Sequence, residues 1–559
     1  MAKGEPSARL RVSAWSPPSA AGVWLLLALA TGANFPYFEQ TRNANERPRI
    51  MQAMAWVDAD EWAIDGKAVR GLEAGPDTAR SKHDGRLYPN KPPGATFAAA
   101  AGYQVAVALA GDDGPTLRAV TGWSRWFGGA LPTLLLAMVL WRRHAGVFGA
   151  GVTMAAVLTW ALATPAIVYA HLLYGHALAA MFLHVGITAI AAGLERTENT
   201  GRWAWCAIGG ALASAAIAVE YIAAFAAIPI GVGLLLRWRS DRRMPASIAA
   251  AVIGALIPVM LLAAYHDQVF GSAFATGYQH ATVSDFAEKH GQGLLGLGWP
   301  TWAGVRVQLL SIDGGLLWWA PAVVPGIWGL AMAGRDEARR FESRVHLILV
   351  LVFLWINVSL SFEGGWRVGP RYFVIALPSL VLGWAEIYAQ ARTRAPWIAL
   401  LFGVAVYGVI VNGLAANLWP HFDSSGVDVP VAEVLVPLWQ GDLRPYVALG
   451  PAPGWLAGID LVAVVVITSV IGFALVWMRA IEPAARTWFA LAGGVLVGVV
   501  LVGLHTLLPR NPNAARNLGY IEKVWEPHQR PGRTTSLPPL AEAATKAPAN
   551  RRRPASQPH

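Results

Sequence analysis

Two short stretches carry the residues best suited to proton and phosphate chemistry. The first holds Glu39, Arg42, Glu46, Arg47 and Arg49. Asn45 fits an N-cap and Pro48 the first helical turn. Ile50, Met54 and Val57 then recur at helical spacing, which predicts a short amphipathic surface helix over 46–57. Glu46 and Arg49 share a face of that helix. The helix dipole favours ionised Glu46 in the first turn. Such a carboxylate can take a proton from a hydroxyl, or it can simply stabilise its helix. The second stretch is Asp84-Gly85-Arg86-Leu87-Tyr88-Pro89-Asn90-Lys91-Pro92-Pro93. Proline holds Lys91 extended, ahead of an apolar stretch 94–110 whose helix start offers free N–H groups. Lys91 there either builds a site for a lipid phosphate or snorkels to headgroups. Asp84 opens this stretch, with Tyr88 four residues on.

The elements that must position these residues are membrane helices. The chain has 559 residues, 55% hydrophobic and 14% charged. Mean hydropathy is +0.42. The apolar residues come in runs long enough to span a bilayer, which excludes an ordinary soluble enzyme, a disordered chain and a small secreted scaffold. A single cysteine, Cys206, excludes an internal disulfide. The formal charge of +10 needs no nucleic acid, because the basic residues fall between the apolar runs.

The reading is an all-α polytopic membrane protein with about thirteen spans, each boundary good to about a few residues. A cytoplasmic N-terminus covers 1–21 and the first span 22–38, which resembles a signal peptide but lacks a cleavage site. A long outer loop with juxtamembrane helices covers 39–120 and carries the site. Spans two to seven lie in 121–265, an outer loop in 266–313 and spans eight to eleven in 314–415. A third outer segment covers 416–457, spans twelve and thirteen fall in 458–507, and an outer tail covers 508–559. Its last part, 530–559, reads as disordered. With this parity the cytoplasmic segments hold 19 Lys and Arg, against about five in the later outer connections. Counting 94–110 as a span would invert that bias, so it reads as a helix on the outer leaflet. No mirrored pair of broken helices is visible.

Other groups are less pointed. Asp58, Asp60, Glu61 and Asp65 read as a solvated loop. Glu220 and Tyr221 fall at an outer turn, where a carboxylate near a membrane boundary invites a functional reading. His171 and His176 lack the spacing of a helical zinc pair, and His266, Asp267, His280 and His290 are scattered. No cofactor is called for. Most of the 26 tryptophans read as interface anchors.

The pattern resembles the GT-C glycosyltransferases, nearest in motif to the protein O-mannosyltransferases and the lipid A aminoarabinose transferases. Those families carry Asp-Glu, one residue, then Arg at the start of the first outer loop, and a Lys-Pro-Pro further on. Here the counterpart is Asn45-Glu46-Arg47-Pro48-Arg49, with Asn45 where the first acid stands. Further stretches resemble uncharacterised bacterial members: Trp62 to Asp65, Asp84 to Tyr88, Phe270 to Tyr278, Gly314 to Pro321 and Glu363 to Tyr372. Together they cover roughly 24–390.

The resemblance implies the GT-C fold in a bacterial inner membrane, with the site on the outer face. It implies hexosyl or pentosyl transfer with inversion, from a polyprenyl-phosphate sugar to a glycan, lipid or protein of the envelope. The implied base is Glu46, with Glu39 as substitute. Lys91 and Arg371 would stabilise the departing phosphate, and Arg49 would orient Glu46 or bind that phosphate. Trp62 or Trp366 would stack on a sugar. Some relatives use a divalent metal, though no ligand cluster here demands one. A lipid-linked glycan flippase, or a ligase using a diphosphate-linked donor, are the competing readings.

Overall fold

The computed structural model describes residues 17–38, 43–291, 296–360, 365–422, 426–440, 461–480, 486–521 and 537. Glu39, Glu363, Gly364 and nearly all of the 530–559 tail lie outside them. The chain is predominantly helical, as its apolar runs require.

Helix α1 (Pro17–Gly32) stops just before Asn34 and Pro36. The first long loop follows with α2 (Glu46–Ala59). A small antiparallel pair, β1 (Thr78–Arg80) and β2 (Leu87–Pro89), sets Thr78 opposite Pro89 and Ala79 opposite Tyr88. Strands of three residues are too short to leave a period-two pattern, so the sequence did not announce them. Helices α3 (Gly94–Ala110) and α4 (Leu117–Arg125) then pack together. Gly102 permits that approach, since a Cβ there would lie 2.4 Å from the Ser124 nitrogen. The other side of α3 exposes Phe97, Val107 and Leu109.

The amphipathic surface helix expected at 46–57 is instead an interior one. Ile50, Met51, Ala53 and Met54 are buried, but so are Glu46, Arg49 and Gln52. Gln52 donates to the Trp62 carbonyl and the Tyr265 hydroxyl and accepts from Thr96. Buried polar groups are tolerated when they are matched in this way. Apolar periodicity sees one face of a helix and cannot see such matching on the other.

A π-turn over Trp126–Ala130 carries α4 into α5 (Leu131–Phe148). Next come α6 (Ala150–Ala163), the single turn α7 (Ala166–Ala170), α8 (His176–Leu194) and α9 (Asn199–Val219). Then follow α10 (Ala227–Trp238) and α11 (Met244–Phe270). Among the described residues, eight helices are long and apolar enough to cross a membrane. Other expected spans are interrupted. The one at 146–166 breaks at Thr164-Pro165, between α6 and α7. The one at 314–333 splits into Leu316–Trp319 and Val323–Ala333 around Pro321. The one at 372–390 begins as tight turns around Pro378 before the helix Leu380–Ala391. Proline disfavours helix at the residue before it and donates no backbone hydrogen bond.

The main core joins α6 and α8 to the helices Arg340–Ser359, Leu380–Ala391 and Ala395–Asn417. At the end of the bundle opposite the first loop, Arg143 bridges Glu195 and Glu342, and Arg202 pairs with Asp241. These pairs fall in the connections that the charge pattern assigns to the cytoplasm.

Candidate active site

The site forms where α2, the turn between α7 and α8, the β1–β2 pair and the start of the segment Arg371–Ile375 meet. Its base is a pair of buried ion pairs. Glu46 accepts from Arg125 Nε (2.8 Å), Arg125 Nη2 (2.7 Å) and the Leu173 N–H (2.8 Å). Burial alone would raise its carboxyl pKa, but the Arg125 guanidinium outweighs that and holds it below the usual carboxylate value. Arg49 donates to the Leu173 carbonyl (2.8 Å) and to Glu220 (2.8 Å).

Glu46 and Arg49 do share a helix face, as their spacing requires, yet they do not bind each other. They grip the N–H and the C=O of one residue, Leu173, from the same side. That fixes the turn carrying Tyr174, Gly175 and His176. Gly175 has φ +85, and a Cβ there would meet Glu220 Oε1 at 2.7 Å. Only glycine fits both demands.

Asn45 occupies the N-cap position of α2 without a side-chain capping bond. Asn43 does the capping instead, accepting from the N–H groups of Asn45 and Glu46, and its amide donates to the Tyr174 hydroxyl. Tyr174 also meets His421 Nδ1 at 3.3 Å. Burial pushes the His421 imidazole down to about 3 despite the nearby Glu46, so it is neutral at ordinary pH. Trp366 lies 5.6 Å from the His421 ring, at the edge of this group.

Above the ion pairs sit two further cations. Lys91 is buried; its Nζ donates to the Tyr278 hydroxyl (2.9 Å) and lies 4.7 Å from that ring's centre. Arg371 is buried; its Nη2 donates to the Tyr372 hydroxyl (3.1 Å), and among the described residues its Nε–H has no hydrogen-bond partner. Neither makes an ion pair among the described residues. The charges of Arg371, Arg49 and Lys91 all reach His176, the first residue of α8. The His176 ring is 5.7 Å from Tyr372 and 5.2 Å from Tyr169. Thus Lys91, Arg371, Arg49, Glu46 and Glu220, singled out in the sequence one by one, come together around one helix start.

Asp84 is placed differently. It is exposed beside the hairpin turn; burial pushes its carboxyl up, but the hydrogen bonds it accepts from the Tyr88 hydroxyl and the Arg86 N–H together outweigh that and hold it below the usual value. Arg86 is tied to Glu61 and Asp65. Tyr88 itself is buried near Phe270 and joins Tyr221, Tyr265 and Tyr278 in one cluster. Trp62 stacks on Trp56 (5.7 Å). Among the described residues, no group of three or more His, Cys, Asp or Glu is placed to hold a metal ion.

Sequence reading passed over Arg125, His421 and Asp77, and took Tyr278 and Tyr372 only as the ends of family-like stretches, with no site role. Arg125 ends α4 inside a stretch assigned to a membrane span, where a buried Arg already signals a partner. Asp77 gave no motif at all.

This arrangement of helices and first long loop is the GT-C fold. The particular likeness is to ArnT from Cupriavidus metallidurans, solved with undecaprenyl phosphate. That match has 16% identity, covers 88% of this chain and 77% of that one, and has a TM-score of 0.51. The arabinosyltransferase EmbB of Mycobacterium smegmatis matches over 93% of this chain and 42% of its own, at 12% identity and a TM-score of 0.40. The Archaeoglobus fulgidus oligosaccharyltransferase matches over 92% and 58%, at 12% identity and 0.37. No protein-family model and no curated protein matches the sequence.

Proposed function

We propose that this chain is an inverting membrane glycosyltransferase. It takes a sugar from a polyprenyl-phosphate carrier and passes it to a hydroxyl of an envelope glycan, lipid or protein on the outer face of a bacterial inner membrane. The observation that carries this reading is the pair of buried cations, Lys91 and Arg371, with no acidic side chain in ion-pair contact. A buried charge without a counter-ion is strongly unfavourable. An anionic ligand removes that cost, and the start of α8 beside them adds unpaired N–H groups and a positive dipole end. A phosphate at the membrane surface suits this set, and the Cupriavidus metallidurans ArnT structure contains a polyprenyl phosphate.

In this reading Lys91 and Arg371 hold the donor phosphate. They stabilise the charge that builds on its bridging oxygen as the bond to the anomeric carbon breaks. Arg49, already bound to Glu220, shapes the same wall. Glu46 positions the Leu173 turn; with both oxygens engaged by Arg125 and Leu173 it is poorly placed to collect a proton. Asn45 offers an amide in the position of an acid and cannot serve as a base.

The test uses purified protein in lipid vesicles, a panel of polyprenyl-phosphate sugars and a crude envelope extract as acceptor. Free polyprenyl phosphate is followed by mass spectrometry. Wild type releases it from at least one donor, and Lys91→Ala and Arg371→Ala require far more donor. No release from any donor, or release at unchanged donor affinity in both variants, overturns the reading.

A further inference from the structure

We propose that Asp77 is the general base that takes the proton from the acceptor hydroxyl. This rests on the transferase reading above. Asp77 immediately precedes β1, and its carbonyl accepts the Asn90 N–H (3.1 Å), so the strand pair sets it across from the residue before Lys91. The next residue, Thr78, is locked to the middle outer loop. Its hydroxyl meets that of Thr282 at 2.7 Å, and its carbonyl accepts the Thr282 N–H at 2.9 Å. Asp77 is therefore held by two walls of the site.

The residue is 9% exposed, buried but not sealed from solvent. Its charge reaches Arg371, one of the two cations assigned to the phosphate, and Tyr278, which accepts from the other, Lys91. Among the described residues, no hydrogen bond or ion pair engages its carboxylate. Among the described residues, the other acids near these cations are committed. Glu46 is held by Arg125 and Leu173, Glu220 by Arg49, and Asp84 is exposed and tied to Tyr88. A base must have an oxygen free to take the proton, and among the described acids near these cations Asp77 is the one whose carboxylate is not already engaged.

The step balances simply. The acceptor oxygen bonds to the anomeric carbon while its proton moves to Asp77. The bond from that carbon to the phosphate oxygen breaks, and its electron pair leaves with polyprenyl phosphate beside Lys91 and Arg371. Asp77 then returns the proton to outer water.

The experiment compares wild type, Asp77→Asn, Asp77→Glu and the control Asp285→Asn, which lies on an exposed helix surface paired with Lys289. Each is assayed for polyprenyl-phosphate release and, separately, for binding of undecaprenyl phosphate; thermal unfolding reports folding. The expected result is a loss of about 10²–10⁴-fold in kcat for Asp77→Asn. Binding and unfolding temperature stay as in wild type, Asp77→Glu recovers part of the rate, and Asp285→Asn is unchanged. A kcat within a few-fold of wild type in Asp77→Asn overturns the assignment while leaving the transferase reading intact. So does a variant whose loss lies in phosphate binding, which would make Asp77 a positioning residue for Arg371. Absence of release by wild type from every donor overturns the transferase reading and the base with it.

Discussion

A buried guanidinium with an unmatched Nε–H is a direct request for an acceptor, and Arg371 makes one. Hydrogen bonds to charged groups are worth about 1.5–3 kcal/mol each. Arg371→Ala and Lys91→Ala should therefore weaken undecaprenyl-phosphate binding roughly 10–100-fold, measured by titration in vesicles. Glu46→Gln should act on stability instead. Removing one partner of a buried pair costs about 3–5 kcal/mol, so the unfolding temperature drops, and adding Arg125→Met restores part of it. The sign with pH follows from the depressed carboxyl of Glu46. Its folded form binds protons less readily than the unfolded chain. The stabilisation is therefore complete above the unfolded carboxyl value of about 4.3 and is lost as pH falls from there through the lower folded value. Unfolding temperature against pH checks this, and Glu46→Gln should flatten the acid side of the curve. Lys91 and Arg371 were legible because proline and glycine neighbours fix where they sit. The partners of Glu46 and Arg49 were not. Arg125 and Glu220 are 79 and 171 residues away along the chain, and spacing arguments reach only one helix turn.

At the scale of elements, the turn at Gly175 joins the ion pairs to the start of α8. A left-handed residue with a side chain costs roughly 1–2 kcal/mol before any clash. Gly175→Ala adds a contact with Glu220 and should both lower the unfolding temperature and weaken phosphate binding several-fold; a binding curve alone separates it from a harmless change. The membrane helices themselves could be read from run length. Their interruptions at Pro165, Pro321 and Pro378 could not, because hydropathy averages over a window and ignores whether the helix is continuous. The same averaging hid the β1–β2 pair, and with it Asp77. That residue reads as one more loop acid until the strand pairing sets it opposite Asn90.

For the whole molecule, sidedness is the claim that decides which substrates can reach the site. Cys206 is the chain's single cysteine and is buried, so introduced thiols can be labelled against a quiet background. Ser272→Cys in the middle outer loop should react with a membrane-impermeant maleimide in right-side-out vesicles. Ser240→Cys, among the arginines after α10, should react only after permeabilisation. The reverse pattern would place the site in the cytoplasm. The long separation of the buried pairs also sets a timetable for synthesis. At about 5–20 residues per second, Glu46 waits roughly 4–16 s for Arg125, and Arg49 waits about 9–34 s for Glu220. A ribosome halted between those two events would leave a first loop with one charge satisfied and the other still stranded. Completion of the ninth helix is thus the earliest moment at which both buried charges of α2 can be matched.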